Sequence, residues 1–203
     1  MRINKPFLAA LLFFISVNSF SQEESKPEIT NVTKITFLDP GLGYEKRIAK
    51  NQSVNIQGFM NISAGFNSSS SFGTSSYFYL DPALMLQYRY YYNLLNRESK
   101  GKRTEMNSAN YISPIFQTVF YKVRLSDAQY TGKDRTITNT LGLVWGFQRN
   151  YRSRFSLDLN MGVGYRFGGR AELDNNGKVF INSVSEFAIP VHFTLGFWLN
   201  KRK

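Results

Sequence analysis

Eight charged side chains, Lys34, Glu45, Arg47, Asp81, Arg89, Asp158, Arg166 and Glu186, each fall on the polar phase of a run that alternates polar with apolar residues. Four are positive and four negative. If that phase turns into a protein interior, the charges must find one another, because a buried charge without a partner is prohibitively costly. Chain direction puts Asp81, Arg166, Glu186 and Lys34 toward one end, and Glu45, Arg47, Arg89 and Asp158 toward the other. The expectation is two balanced ion-pair networks. The competing chemistry for the same residues is a charged constriction that passes solutes.

His192 is the single histidine. On the same phase, Thr194 follows it and Glu186 precedes it, so a base, a hydroxyl and a carboxylate share one face. An extended strand separates residues 186 and 192 by about 20 Å, and an inward histidine does not reach a lipid substrate. The reading is therefore an interior, hydrogen-bonded histidine.

YRYYY mixes a base with aromatics as nucleic-acid binders do. Yet Tyr88, Tyr90 and Tyr92 share one face near a strand end, as Phe197 does elsewhere, which suits an aromatic girdle at a membrane interface. Arg97, Lys100, Lys102, Arg103 and Lys201–Lys203 suit contact with anionic head groups, or equally a solvated basic turn. LDNNG (173–177) lacks the spacing of a calcium loop and reads as a tight turn; NSSSSFGTSS (67–76) reads as a polar loop. There is no phosphate loop, no His/Cys metal cluster and no nucleophile elbow, and neither a cofactor nor a metal is expected.

The elements that must hold these residues are strands. Phe155, Leu157, Leu159, Met161, Val163, Tyr165 and Phe167 alternate with Ser156, Asp158, Asn160, Gly162, Gly164, Arg166 and Gly168. The run from Phe187 to Leu199 repeats the pattern, as do those around Val54–Phe66, Phe78–Tyr92 and Ile137–Phe147. No stretch beyond the N-terminal segment keeps a helical period. Eight strands are expected near 29–38, 41–48, 53–66, 77–93, 107–122, 136–150, 154–168 and 184–199. The connections at 67–76, 94–106, 126–135 and 168–183 are long and polar. Pro82, Pro114 and Pro190 fall inside strands, where each removes a ladder hydrogen bond, so bulges are expected there.

The chain opens with Arg2 and Lys5, an apolar run from Phe7 to Val17, and small Ser19 and Ser21. This is the pattern of a cleaved signal peptide, residues 1–21, and its apolar run is shorter than the about 20 residues a spanning helix needs. Residues 22–203 then form one exported domain, with no cysteine to staple it. Removing Arg2 and Lys5 lowers the net charge from +11 to +9. Export makes nucleic acid a poor partner for that surplus and favours lipid phosphate.

Alternation alone fits a soluble, lipocalin-like barrel with apolar residues inside or a membrane barrel with them outside. Volume decides between them. An eight-stranded ring has an interior just wide enough to be filled by side chains, and six or seven large residues per strand would overfill it. The Gly, Ser, Asn and Thr face belongs inside.

On YRYYYN (88–93), GVGYRFGG (162–169) and FTLGFW (193–198), the chain resembles the small eight-stranded outer-membrane β-barrel proteins of the OmpA and OmpX kind. The resemblance implies an up-and-down antiparallel transmembrane barrel in the outer membrane of a Gram-negative-type envelope, with both termini in the periplasm. Members end on an aromatic residue read by the barrel-insertion machinery; here Phe197 and Trp198 are followed by LNKRK. The expected function is non-enzymatic: a structural or surface-interaction barrel with a plugged polar interior and an unidentified extracellular loop partner. A narrow solute channel is the alternative, and a lipid-modifying enzyme ranks after it.

Overall fold

The computed structural model describes residues 27–69, 73–122, 135–173 and 179–201. The expected signal peptide lies outside them, as does most of LDNNG. Nine strands follow in chain order: β1 (Val32–Leu38), β2 (Gly41–Ala49), β3 (Gln52–Ser69), β4 (Gly73–Tyr91), β5 (Asn110–Lys122), β6 (Arg135–Asn150), β7 (Phe155–Leu173), β8 (Val179–Ala188) and β9 (Val191–Trp198). A short helix, α1 (Leu94–Ser99), and a 3-10 turn (Glu105–Asn107) lie between β4 and β5.

Every strand pairing is antiparallel, and sequence neighbours are spatial neighbours. β8 and β9 are two stretches of one strand. Both run along β7 in one register, from Gly164 opposite Ala188 to Met161 opposite Val191. Counted so, 8 strands form a ring, which β9 closes by pairing with β1.

The prolines behave differently from the bulges expected of them. Pro190 interrupts the strand but keeps register, its carbonyl accepting from the Gly162 N–H at 3.1 Å. Pro114 leaves a gap in the β4–β5 ladder between Gln87↔Ile115 and Tyr90↔Ile112 with no slip. Pro82 stands opposite Met60 on β3, just beyond the last β4–β5 pair, Ala83↔Val119. A proline lacks a donor but not an extended backbone, so the ladder loses a bond without losing count. The register shifts occur elsewhere, between Thr36 and Leu38 and between Arg47 and Ala49.

The polar stretches expected as long loops are partly strand. β3 and β4 pair as far as Ser69↔Gly73, and β7 and β8 as far as Leu173↔Val179. Ser, Thr and Asn carry the same backbone donors and acceptors as Val, and polarity alone does not end a ladder. The β1–β2 hairpin is the short one. Asp39 adopts a left-handed φ of 49°, and the Thr36 hydroxyl donates to its carbonyl at 2.7 Å, turning the chain early. Above that turn, among the described residues, neither β8 nor the half of β3 beyond Met60 has a strand on its second side.

The faces divide as the alternation expects. Exposed on the outside are Leu42, Leu84, Leu141, Val163, Phe187 and Ile189, the last two 68% and 64% exposed. Inside lie Ser53, Asn55, Gln57, Gln87, Gln148, Ser156, Asn160 and Thr194. Most glycines of the inner face have no room for more, Gly43 excepted. A Cβ on Gly162 would stand 2.0 Å from the Leu143 carbonyl oxygen, and one on Gly196 2.0 Å from that of Ile35.

The interior is not polar throughout, and this corrects the expectation. Phe59, Ala83, Met85 and Val119 pack into a buried apolar cluster against Tyr121, with Ile115, Val144 and Ala188 also buried. This belt separates the charges near the termini from those at the far end.

Candidate functional site

Arg89 on β4 stands at the centre of the charged group nearer the termini. Its Nη1 lies 2.8 Å from Asp158 Oδ2 on β7 and 3.6 Å from Glu45 Oε2 on β2. Lys34 Nζ on β1 is 3.7 Å from Asp158 Oδ2 and donates to Gln148 Oε1. Two cations thus meet two carboxylates contributed by four strands, all buried.

Neutral groups take up most of the remaining donors and acceptors, with Gln87 Nε2 left without a hydrogen-bond partner. Glu45 Oε1 accepts from Ser53 Oγ at 2.6 Å, Tyr91 Oη at 2.7 Å and Asn107 Nδ2 at 2.8 Å. Asp158 Oδ1 accepts from Tyr111 Oη at 2.7 Å. Arg89 donates from Nε to Gln87 Oε1 at 2.9 Å and from Nη1 to Gln148 Oε1 at 2.6 Å, and its guanidinium lies 4.4 Å from the Tyr111 ring centre. A network satisfied on this scale holds its members rigidly.

The mouth below the network is closed by chain. Asn107, at φ 63°, donates to the Thr30 carbonyl and accepts from the Thr30 N–H at 2.7 Å, tying the 3-10 turn to the N-terminal segment. Ile29, Tyr91, Leu94, Ala109 and Tyr111 form a buried apolar cluster there. Residues 94–106, expected as a long polar connection, fold across the ring's end. Neither α1 nor the Asn107 link was anticipated. A helix of one and a half turns leaves too little periodicity to read, and nothing local in EMNS announces a left-handed asparagine.

Two of the eight charges sit apart from their expected groups. Lys34 joins the network at the end with the termini, because the early turn at Asp39 confines all of β1 to that half. Arg47 stays at the mouth and pairs with Glu28 at 2.6 Å, both over a third exposed. At the far end, Arg166 and Glu186 pair at 3.1 Å across β7 and β8. Asp81 is fully buried and accepts from the Lys122 N–H at 3.0 Å, where the β4–β5 ladder has stopped; Arg135 Nη1 lies 4.0 Å away.

His192 points inward and is buried, but not in the hydrogen bond expected of it. Its Nε2 lies 3.3 Å from Asp39 Oδ2 without hydrogen-bond geometry, and its ring meets Phe59 edge-on at 5.0 Å. Glu186 is engaged by Arg166, so the histidine, hydroxyl and carboxylate of one strand do not form a catalytic unit. Tyr88, Tyr90 and Tyr92 lie together on the outer face. Tyr88 donates to Gln52 Oε1 at 2.6 Å, and the Tyr92 hydroxyl accepts from Trp145 Nε1 at 2.7 Å. Phe197 is also outward, with its ring 6.0 Å from Phe37 and 6.3 Å from Phe155.

No family model, no curated protein and no solved structure matches this chain. Among the described residues, no three His, Cys, Asp or Glu side chains group as a metal would require.

Proposed function

We propose that the protein is an exported, integral outer-membrane β-barrel with a plugged interior and a structural or surface-interaction role. The observation that carries this reading is the inversion of its faces. Large apolar side chains crowd the outside of the ring, while ion pairs with their amide and hydroxyl partners occupy the inside below a short apolar belt. In water, an outer face with Phe187, Ile189 and Leu42 all more than 60% exposed is an aggregation liability; in a bilayer it is the solvated face. Up to the height of the β1–β2 turn the ring closes on itself through β1 and β9, and a closed ring is the β architecture that hydrocarbon tolerates. Outward tyrosines and Trp145 at the end with the termini fit an interfacial aromatic girdle.

The plug supports a non-conducting role. Arg89, Lys34, Glu45 and Asp158 meet on the ring's axis, and residues 94–109 cover the mouth below them. The exterior of the far end, with its extended β3–β4 and β7–β8 hairpins, is then the surface available to partners outside the cell.

The test is gel mobility of protein from outer-membrane fractions, unboiled against boiled, followed by planar-bilayer recording. A heat-dependent shift with no steady conductance is the expected result. Protein soluble in the periplasm with no shift would overturn the membrane reading, and stable unitary currents would overturn the plug.

A further inference from the structure

The excess positive charge of the described residues is concentrated at one end. Among the described residues, the end with the termini carries Lys46, Arg47, Lys50, Arg97, Lys100, Lys102, Arg103, Arg149, Arg152, Arg154 and Lys201 against Glu28, Glu98 and Glu105. The interior network is balanced, two against two, and the rest of the described charges balance as well, Lys122, Arg135, Arg166 and Arg170 against Asp39, Asp81, Glu172 and Glu186. Two of the three glutamates are already engaged, Glu28 by Arg47 and Glu105 by Arg103, both at 2.6 Å.

These cations come from β2, the β2–β3 turn, the α1 segment, β6, the β6–β7 turn and the C-terminal residues, so they encircle the ring. They lie at or just below the outward tyrosines, the height at which head groups would meet the wall. Leu95, on α1 beside Arg97 and Lys100, is exposed and adds an apolar contact at the same level.

Resting on the membrane-barrel reading, we infer that this collar binds the anionic phospholipids of the leaflet it faces. Arg103, Arg152 and Lys201 border a cleft at the mouth that Glu28, Glu98 and Glu105 also line, whereas the other cations lie around the ring's end outside it, so they present many weak phosphate contacts around a perimeter. Acidic lipids supply such contacts.

The experiment uses the full-length exported chain refolded into phosphatidylcholine vesicles that carry trace spin-labelled phosphatidylglycerol or spin-labelled phosphatidylcholine. The motionally restricted component of each spectrum reports lipid held at the protein wall. Preference for the glycerol lipid on the order of threefold at low salt is expected. It should collapse in about 1 M salt, where screening falls to about 3 Å. A variant carrying Lys50→Gln, Lys100→Gln, Lys102→Gln and Lys201→Gln, all at exposed positions, should lose most of the preference while retaining the restricted component. Restricted lipid of both kinds without preference, or a preference unmoved in the variant, would overturn the collar while leaving the barrel reading intact. No restricted component from either lipid would overturn both.

Discussion

Arg89 and Asp158, which are 69 residues apart in sequence, meet at 2.8 Å inside the ring, where the Arg89 side chain is 2% exposed. The pair spans from β4 to β7, so it ties opposite walls across the lumen instead of stitching neighbouring strands. Arg89→Met leaves Glu45 and Asp158 sharing Lys34 alone. Breaking a buried pair in this way costs about 3–5 kcal/mol. The urea midpoint for unfolding from lipid vesicles should fall accordingly. Adding Asp158→Leu, which again balances Lys34 against Glu45, should restore much of the loss; no recovery would mean that Arg89 acts through packing and not charge.

The crowded inner-face Gly162 should be intolerant of substitution where the outward Gly58 is not. Gly162→Ala drives a methyl against the Leu143 carbonyl, and overpacking of this kind costs about 1–3 kcal/mol. Gly58→Ala points outward, with the nearest atom, Leu84 Cδ2, at 3.6 Å, and should stay within about 0.5 kcal/mol. Parallel urea titrations of the two variants check the contrast.

A charge placed on the outer wall reports what surrounds it. Val163→Arg, at a position 55% exposed, should cost about 2–4 kcal/mol in vesicles, as an arginine at hydrocarbon depth does. A near-neutral effect would indicate water at that face.

Amide exchange should divide β3 in two. Asn55 and Gln57 lie between β2 and β4, whereas Asn61 to Ser69 are paired on the β4 side alone among the described residues. Exchange by mass spectrometry should be slow over residues 53–59 and faster over 61–69, with residues 179–188 of β8 behaving like the latter. Uniform protection across β3 would mean that another chain segment covers its free edge.

How much of this was legible in the residues depends on which physical signal recorded it. The faces of β7 and β4 were legible, because period two survives from Phe155 to Phe167 and from Leu84 to Tyr92 with little interruption. The ion-pair partners were legible as a set but not as pairs. Which charges share a height depends on strand length and register, and the left-handed turn at Asp39 lowered Lys34 into the company of Glu45 and Arg89. The apolar belt was recoverable in part: Phe59 shares phase with Asn55 and Gln57, and Met85 with Gln87, but they break the rule that the inner phase is polar. The closure by α1 and Asn107 was not legible. Its reason is tertiary: the Glu45 oxygen and Thr30 backbone that hold Asn107 come from 62 and 77 residues away.

The membrane wall is defined by the face that meets lipid, and the two tryptophans lie on opposite faces of the ring. Trp145 is on the outer wall and half-exposed, whereas Trp198 is turned inward, 2% exposed, with its Nε1 donating to the Tyr151 carbonyl at 3.0 Å. Trp145→Phe and Trp198→Phe each leave one reporter, to be measured in vesicles of phosphatidylcholine brominated along its acyl chains. Strong quenching of the protein that keeps Trp145, with little quenching of the one that keeps Trp198, is the predicted result. An unquenched Trp145 in folded protein would contradict the outward-facing membrane wall.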